Sequence, residues 1–421
     1  MRKSTLAVVL LTMVSFTNYV DRMVLSALAQ PIKTEFSLSD SQIGLLTGFA
    51  FVLLYSFTSV PMARFADRSN RALVLSAALT LWSLATAACG LVKSFGGLLV
   101  ARMFVGIGES GCQPIGYALI SEYFPPQRRA AAIGWFLVGN SLGVTAGFAI
   151  GGWLGALYGW RVAFFAVGLP GVLLAIALAV SLRASPRQTD PGSQPKAALS
   201  TLQACKLLLA DRRFRWLLAT NGVYSFLIFG PIAWLPAFFM RSHGLELRYV
   251  GTWSGLTIGF GMASGMLIGG FVSDRLLRRS PGLPQWFCAT TAVATGIAYW
   301  IVLSAPDPTL AFVATFFASL IGALGGPTNA VTVQNVSAPH LRATAASLAT
   351  LTISLVGIGL APLVIGVLSD ALTQSIGRDA LRHAMSWTLP VCLITASCHA
   401  RVARLMEGER YAATFASKPE S

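Results

Sequence analysis

The sequence has 421 residues, of which 55% are hydrophobic and only 11% are charged, and its mean hydropathy is +0.67. Since an average globular protein is about 25% charged, this composition excludes a water-soluble chain and indicates a polytopic membrane protein. The formal net charge of +15 would suggest a nucleic-acid partner in a soluble protein. Here the basic residues lie in loops between apolar segments, so we predict a bilayer partner and no nucleic acid.

Apolar segments long enough to cross a bilayer follow one another along the whole chain. Twelve of them cover roughly residues 5–30, 42–63, 72–92, 96–120, 131–157, 161–182, 214–240, 249–272, 286–305, 309–333, 344–369 and 384–403. They leave little room for a soluble domain, which argues against a membrane sensor. We therefore predict an all-α integral membrane protein with 12 transmembrane helices.

The distribution of basic residues predicts the orientation of these segments. With the N-terminus inside, the cytoplasmic segments hold 22 Lys and Arg residues and the external segments hold 7. Basic residues concentrate on the cytoplasmic side of membrane proteins. We therefore predict a multi-pass protein of the bacterial inner membrane, with both termini cytoplasmic.

The two halves of the chain repeat two short patterns. The stretch that ends in Asp67-Arg68 recurs as the stretch that ends in Asp274-Arg275, and Pro126-Gln-Arg-Arg-Ala130 recurs as Pro339-His-Leu-Arg-Ala343 at a similar offset. Such a repeat indicates duplication of a six-helix unit, as in many secondary transporters. The predicted parts are an N-terminal six-helix bundle (1–182), a cytoplasmic linker (183–212), a C-terminal six-helix bundle (213–405) and a cytoplasmic tail (406–421).

The first segment carries two charges at membrane depth, Asp21 and Arg22, within Asn18-Tyr19-Val20-Asp21-Arg22. A charge inside the bilayer costs several kcal/mol, so charged residues there usually face a cavity, have partners and serve function. The alternative is a structural ion pair without a transport role. We favour the functional interpretation.

The fourth segment supplies a second acid and a second base, Arg102 and Glu109. Seven residues are nearly two helical turns, so both side chains share one face, about 10 Å apart. Burial raises a carboxyl pKa and a nearby Arg lowers it, so a carboxylate between these influences can take up a proton when its Arg partner moves. We hypothesise that Asp21 and Glu109 bind protons and that Arg22 and Arg102 act as switch or substrate-anchoring cations.

Glycines in the fourth and fifth segments allow close helix packing. Gly106-Ile-Gly108-Glu-Ser-Gly111 also matches a dinucleotide fingerprint, but no strand precedes it, so we predict no cofactor. A ridge of glycines at four-to-five-residue spacing runs along the fifth segment and predicts a close-packing and hinging surface, with ligand contact as the alternative. Its members are Gly134, Gly139, Gly143, Gly147, Gly151 and Gly155.

Acidic and basic pairs stand at the predicted cytoplasmic ends of the second and eighth segments. These pairs are Asp67-Arg68 and Asp274-Arg275, and we predict that they gate the transporter. An Asp at this position can cap the N-terminus of a neighbouring helix. We hypothesise that Asp67 caps the eleventh segment near Ala343; the alternative is a surface ion pair.

Polar and aromatic residues within the segments form the predicted substrate cavity. They are Asn18, Tyr19, Tyr117, Asn140, Asn221, Tyr224 and Asn329. The alternative for each amide is an ordinary interhelical hydrogen bond. We find no mid-depth ionisable residue in the second half, so a cavity charged on one wall and apolar on the other would suit an amphiphile.

No enzyme or metal site emerges from the sequence. The histidines His243, His340, His383 and His399 lie at loops or segment ends, and no nucleophile set stands out. The six cysteines are scattered without a metal-binding spacing, so we predict no metal. A membrane enzyme is therefore excluded as an interpretation.

Several motifs together resemble the major facilitator superfamily and, within it, the bacterial spinster-type transporters. The matching stretches are Asn18 to Arg22, Arg102 to Gly111, Ser121-Glu-Tyr-Phe-Pro-Pro-Gln-Arg-Arg129 and Gly159 to Gly171. The resemblance implies alternating access, proton-linked transport and, as in animal relatives, lipid-like or lysolipid substrates. It also implies that Asp21 and Glu109 are the proton-binding pair, with Arg22 as their partner.

The chain departs from the family pattern at the second segment, and a second family is also similar. Ala63 replaces the usual first Gly of the motif, and Ser69-Asn70 replaces a Gly-containing turn, which puts gating detail in question. The organic anion/proton symporters resemble this chain in the Asn-Tyr-x-Asp-Arg stretch and in the Arg/Glu pair within the membrane. We therefore predict a monomeric proton-coupled transporter of an amphipathic organic molecule, with a sugar acid as the alternative substrate.

Overall fold

The computed structural model describes residues 2–182, 201–338 and 341–416, and within these ranges its regular elements are helices and no strand occurs. The helices of the first half are α1 (Arg2–Phe36), α2 (Asp40–Gly44), α3 (Ala50–Arg68), α4 (Arg71–Cys89), α5 (Phe95–Glu109), α6 (Cys112–Tyr123), α7 (Pro126–Tyr158) and α8 (Trp160–Leu182). Those of the second half are α9 (Thr201–Ala210), α10 (Arg212–Ser242), α11 (Leu247–Leu277), α12 (Leu283–Ser304), α13 (Pro308–Ala323), α14 (Gly325–Val336), α15 (Arg342–Thr352), α16 (Ala361–Ile376), α17 (Ala380–Thr388) and α18 (Val391–Ala416).

Ten helical stretches of the described chain are long and apolar enough to cross a membrane. One of them, Thr344–Gly408, has 65 residues and contains two of the predicted segments. The predicted fourth segment falls on α5 and α6, which a break around Ser110 and Gly111 separates. The prediction of an all-α, multi-pass membrane protein is therefore confirmed.

Two π-helical turns interrupt membrane helices in the described part of the chain. Leu45–Phe49 lies between α2 and α3, and Ile353–Leu360 lies between α15 and α16. Pro362 follows the second turn and has no N–H to donate, which removes one bond from the regular α-helical ladder. Such turns often stand at functional sites.

The predicted linker and tail are only partly described. Residues 183–200 and 417–421 lie outside the described ranges. The end of the predicted linker forms α9, whose Ala204 and Leu208 are buried in a cluster with Phe214 and Ala345. The start of the predicted tail continues α18.

Contacts between Cα atoms divide the chain into two compact units. The first consists of Met1–Ser193, Ile232–Phe260 and Pro362–Ala384. The second consists of Gln194–Pro231, Gly261–Ala361 and Met385–Ser421. The first unit therefore includes parts of three membrane-spanning stretches from the second half of the sequence.

The glycine ridge of α7 is a close-packing surface, as predicted, and its partner is α1. A Cβ atom added at Gly139 or at Gly143 would lie 2.5 Å from the carbonyl oxygen of Thr12 or of Phe16. Only a residue without a side chain allows this approach of two helices. Gly134 differs, because nothing lies within 4 Å of an added Cβ there, so this member of the ridge makes no close contact.

Candidate functional site

The four predicted coupling residues lie together in the first unit, on α1 and α5. Asp21, Arg102 and Glu109 are each no more than 1% exposed, and the Arg22 side chain is 12% exposed. The sequence placed these charges at membrane depth, and the tertiary structure brings them to one buried site. Charged groups in such a place need partners, because burial removes their hydration.

Arg22 and Glu109 form an ion pair that joins α1 to α5. The Nε atom of Arg22 donates to Oε2 of Glu109 at 2.7 Å. The other carboxylate oxygen, Oε1, is buried and has no hydrogen-bond partner among the described residues. The pair is therefore buried, and one oxygen of its carboxylate makes no hydrogen bond of normal geometry in the described chain, although the Asn18 side chain lies beside it.

Asp21 and Arg102 approach each other without forming a carboxylate ion pair. Nη1 of Arg102 donates to the main-chain oxygen of Asp21 at 3.4 Å. Oδ1 of Asp21 and Nε of Arg102 have no hydrogen-bond partner in the described part of the chain. The groups that face the Asp21 carboxylate include Thr86 and Glu109 as well as both arginines. Asp21 is thus a buried acid with spare acceptor capacity.

Aromatic rings surround the Arg22 guanidinium. Its Cζ atom lies 5.4 Å from the ring centroid of Tyr19, 4.9 Å from that of Phe51 and 5.2 Å from that of Tyr55. Each distance is within the range of a cation–π interaction. The sequence analysis did not select Phe51 or Tyr55. Their four-residue spacing, which places both on one face of α3, was the available signal.

The other predicted cavity residues of the first half occupy mixed positions. Asn18 is buried and its Nδ2 atom has no partner in the described ranges. Tyr117 packs edge-on against Phe136, with ring centroids 5.4 Å apart. Asn140 accepts a hydrogen bond from Ser15, so it joins α7 to α1. Asn18 and Tyr19 are therefore next to the charged site, whereas Asn140 makes an interhelical hydrogen bond.

The predicted cavity residues of the second half lie in the second unit. Asn221 and Tyr224 are buried on α10, and the Tyr224 hydroxyl donates to the carbonyl of Gly322. Asn329 of α14 is also buried, and neither atom of its amide group has a hydrogen-bond partner among the described residues. Asn329 is thus a polar side chain with unused binding capacity.

The second half contains one fully buried histidine, which the sequence analysis placed at a segment end without predicting its burial. His399 is fully buried inside α18, which continues past the predicted end of the last segment. Its Nδ1 lies 2.7 Å from Oε1 of Gln285, and Nε2 of Gln285 donates to Thr332 at 2.8 Å. Its position near the end of an apolar stretch led the sequence analysis to place it at a segment end.

The predicted gating residues are found at exposed helix ends. Asp67 accepts from Arg71 at 2.7 Å, and Arg71 also pairs with Glu122. Arg68 is exposed, and so are Asp274 and Arg275. The predicted cap on the eleventh segment stays a prediction, because residues 339–340 lie outside the described ranges and Ala343 is in the other unit.

A second charged cluster, which the sequence analysis missed, surrounds the buried carboxylate of Asp40. Both terminal nitrogens of Arg241 donate to it at 2.8 Å, in a bidentate pair, and Lys33 adds another ion pair. The Ser369 hydroxyl donates to the same group at 2.6 Å. We call these four residues the Asp40 cluster; it links the two halves of the sequence within the first unit.

Asp370 reinforces the Asp40 cluster through the backbone. Its carboxylate accepts from the main-chain N–H groups of Asp40 and Ser41, both at 2.8 Å. It therefore caps the start of α2, where helical N–H groups have no partner within the helix. A Cβ added at Gly44 would lie 2.5 Å from the carbonyl oxygen of Pro362, so α2 and α16 are in close contact.

Comparison with known proteins places the site in a family context. Residues 11–362 match the sequence profile of the Major Facilitator Superfamily. The chain is 33% identical over 386 residues to an MFS-type efflux pump of Mycolicibacterium smegmatis, which covers 91% of this chain and 89% of the pump. It is 29% identical over 288 residues to a probable L-galactonate transporter of Escherichia coli, which covers 66% of this chain and 63% of that protein.

One solved structure resembles the structure of this chain over nearly the whole length of both chains. It is the crystal structure of a bacterial homologue of the human lysosomal transporter Spinster, in an inward-facing and unoccupied conformation. The TM-score is 0.88 and the sequence identity is 29%, with 96% of this chain and 98% of that chain covered. The resemblance to spinster-type proteins stated from the motifs is therefore confirmed.

Proposed function

This chain belongs to the Major Facilitator Superfamily and is a transporter, not an enzyme, and from this premise we propose that it moves an amphipathic or lipid-like organic substrate by proton-coupled alternating access. The buried arrangement of Arg22, Glu109 and Asp21 is the observation that carries the proposal. Fixed ion pairs hold a structure together, whereas this site keeps two carboxylate oxygens without hydrogen-bond partners in the described chain. A proton has a place to bind there.

The first step of the proposed cycle is protonation of Glu109. A neutral carboxylic acid no longer attracts the guanidinium of Arg22, so the 2.7 Å ion pair would break. The freed guanidinium, within its aromatic surroundings, would then bind an anionic group of the substrate through two parallel N–H donors. Proton uptake and substrate binding are thereby linked.

Asp21 and Arg102 form the second acid and base of the site, without a carboxylate ion pair between them. The Asp21 carboxylate would take up a proton while Arg102 contacts its main-chain oxygen, and would lose the proton when Arg102 moves to the carboxylate. With both acids ionised the four charges sum to zero, and each proton adds one positive charge. The site would therefore attract an anion most strongly when it is protonated.

The preferred substrate has an anionic head and an apolar body. The rings of Tyr19, Phe51 and Tyr55 offer an apolar surface beside a cation, which suits a lysolipid-type molecule. The choice follows the resemblance to spinster-type transporters, which the likeness to a Spinster homologue supports. We propose that Asn221, Tyr224 and Asn329 line the substrate path in the second half.

A sugar acid or another small organic anion is the second candidate substrate. The likeness to a probable L-galactonate transporter favours it, and the proposed role of Arg22 as an anion anchor is the same in both cases. The two candidates differ in what the apolar surface contributes. A lysolipid would need it, whereas a sugar acid would rely on hydrogen bonds from residues next to the charged site, such as Asn18.

We further propose gates on both sides of the membrane. With both termini in the cytoplasm of a bacterial inner-membrane protein, the Asp40 cluster lies on the external side and closes it. The pairs Asp67-Arg68 and Asp274-Arg275 lie on the cytoplasmic side. There Asp67 would break its ion pair with Arg71 and cap the start of the eleventh segment instead. We retain a monomer of two six-helix bundles, at 1–182 and 213–405, joined by the linker at 183–212.

Transport into proteoliposomes tests this proposal. Purified protein is reconstituted and given an imposed pH gradient, with lysophosphatidylglycerol in one set of vesicles and D-galacturonate in another. Gradient-driven uptake of the lysolipid alone supports the preferred substrate, and uptake of the sugar acid alone selects the alternative. Uptake of either that does not respond to the gradient contradicts proton coupling. Vesicles with the Asp379→Asn variant, which changes an exposed acid, serve as the control.

A further inference from the structure

One aromatic ring, that of Phe51, faces both buried arginines of the coupling site. Its centroid lies 4.9 Å from Cζ of Arg22 and 5.3 Å from Cζ of Arg102. The side chain is fully enclosed, because only 2% of it is exposed. A cation–π interaction is strongest where both partners are desolvated, so the ring of Phe51 should attract both guanidinium groups.

The backbone of Phe51 is held in place by α5. A Cβ added at Gly106 would lie 2.5 Å from the carbonyl oxygen of Phe51, so α3 fits into a notch that glycine leaves open. The ring also stacks with that of Tyr55, at 5.7 Å between centroids. Phe51 comes two residues after the π-helical turn Leu45–Phe49, which alters the direction of side chains along this segment.

The two arginines depend on this ring to different degrees. Arg22 has the Glu109 carboxylate as a counter-charge. Arg102 is 1% exposed, and in the described part of the chain it forms no ion pair and makes one hydrogen bond, at 3.4 Å, to the main-chain oxygen of Asp21. A buried cation without a carboxylate partner needs another source of negative potential. The face of Phe51 is in the position to supply it.

We propose that Phe51 is a positioning residue of the coupling site. Its ring holds the Arg102 guanidinium at the main-chain oxygen of Asp21 and away from the Asp21 carboxylate, which is thereby left able to take up a proton. This inference deepens the proposed function and rests on it. Without the ring face, Arg102 would move to the nearest carboxylate, and Asp21 would stay ionised.

The charged and titratable groups around Asp21 are consistent with this role. They come from its own helix, from α4 and from α5: Arg22, Cys89, Arg102 and Glu109. Of the two cations, Arg22 is engaged by Glu109, so Arg102 is the one available to pair with Asp21. The position of Arg102 therefore decides whether this carboxylate accepts a proton.

Graded fluorination of Phe51 tests the proposal without changing its shape. Phenylalanine with one, two or three ring fluorines is incorporated at position 51, since fluorine withdraws electron density from the ring face. Gradient-driven uptake of lysophosphatidylglycerol and of D-galacturonate is compared with exchange in the absence of a gradient. We expect gradient-driven uptake to fall stepwise, by about ten-fold for three fluorines, while exchange is retained.

A matched control uses Phe57 on the same helix. This residue is 71% exposed, so we expect fluorination there to leave both activities unchanged. Equal gradient-driven uptake for all four residues at position 51 would overturn the role of Phe51 and leave the proposed function standing. Wild-type protein without gradient-driven uptake would instead contradict the proposed function.

Infrared spectroscopy of the purified protein tests, without a transport assay, whether Phe51 affects the protonation of Asp21. The carboxylic-acid band that disappears in Asp21→Asn reports the protonated form of Asp21. We expect this band in the wild type and in Phe51→Tyr, which keeps a ring, and its loss at the same pH in Phe51→Leu. A Phe51→Leu band that titrates as in the wild type, or no Asp21 band in the wild type, overturns the proposal. If Phe51→Leu does not fold, the fluorinated proteins provide the same comparison.

Discussion

The Nε atom of Arg22 lies 2.7 Å from Oε2 of Glu109, although Asp21 is adjacent to Arg22 in the sequence. Consecutive residues of a helix point about 100° apart, so a side chain on α1 pairs more readily with α5 than with its neighbour. The consequence is that Asp21 keeps a carboxylate oxygen without a hydrogen-bond partner in the described chain. One acid is therefore in an ion pair and the other is not, and the proposed coupling depends on this asymmetry.

Replacing Glu109 should abolish coupling. In Glu109→Gln the side chain keeps its size but cannot exchange a proton, so we expect gradient-driven uptake to fall to the level of empty vesicles. Glu109→Asp, which retains an acid, should preserve part of it. Proteoliposome uptake at several external pH values measures both. Coupled uptake by Glu109→Gln at the wild-type rate would remove Glu109 from the mechanism.

Replacing Asp21 should separate coupling from substrate movement. Asp21→Asn leaves the Arg22–Glu109 ion pair intact, so we expect exchange of substrate across the membrane to continue while accumulation against a gradient stops. The measurement is exchange and gradient-driven uptake in the same vesicles. Unchanged gradient-driven uptake would exclude Asp21 as a proton-binding residue.

The Asp40 cluster should control the conformation of the transporter. Asp40→Asn removes the charge that holds Arg241 and Lys33, which should cost about 3 kcal/mol and change the population ratio of closed and open states by about two orders of magnitude. Spin labels at the exposed positions Thr34 and Ser375 would then report longer distances. Asp379→Asn, at an exposed acid, is the control, and identical distance distributions would refute the gating role.

A methyl group on the glycine ridge should destabilise the protein. Gly143→Ala would place Cβ 2.5 Å from the carbonyl oxygen of Phe16, so α1 and α7 must separate, at a cost of about 1–3 kcal/mol. Gly134→Ala meets nothing within 4 Å and should be neutral or slightly stabilising. Thermal unfolding in detergent compares the two, and equal melting temperatures would contradict close packing at Gly143.

The buried His399 should contribute to stability. The Thr332 hydroxyl donates to the carbonyl of Thr328, so its oxygen accepts from Gln285, and Oε1 of Gln285 faces the His399 ring. His399→Leu leaves Oε1 of Gln285 buried without a hydrogen-bond donor, which should lower the free energy of unfolding by about 1–3 kcal/mol. His383→Leu, at an exposed histidine, is the matched control in thermal unfolding. A His399→Leu protein as stable as this control would contradict the hydrogen-bond chain.

Much of the candidate site was predictable from the sequence, because it depends on local patterns. Apolar segment lengths identified the membrane helices, and charges within them stand out against a composition that otherwise excludes charge from the bilayer. The spacing of Arg102 and Glu109 placed both on one helix face. The glycine ridge predicted where α7 approaches another helix, and the structure added that α1 is its partner.

Only the tertiary structure decided which side chains meet. Periodicity shows the faces of one helix but not the rotation or register of the next, so the pairing of Arg22 with Glu109 and the contact of Phe51 with two cations could not be read from spacing. The Asp40 cluster draws on residues more than 300 positions apart, such as Ser369, each of which is unremarkable in its own segment. Composition and hydropathy thus determined that this chain crosses the membrane with buried charges, whereas helix packing determined which of those charges form an ion pair and which carboxylate is left without one.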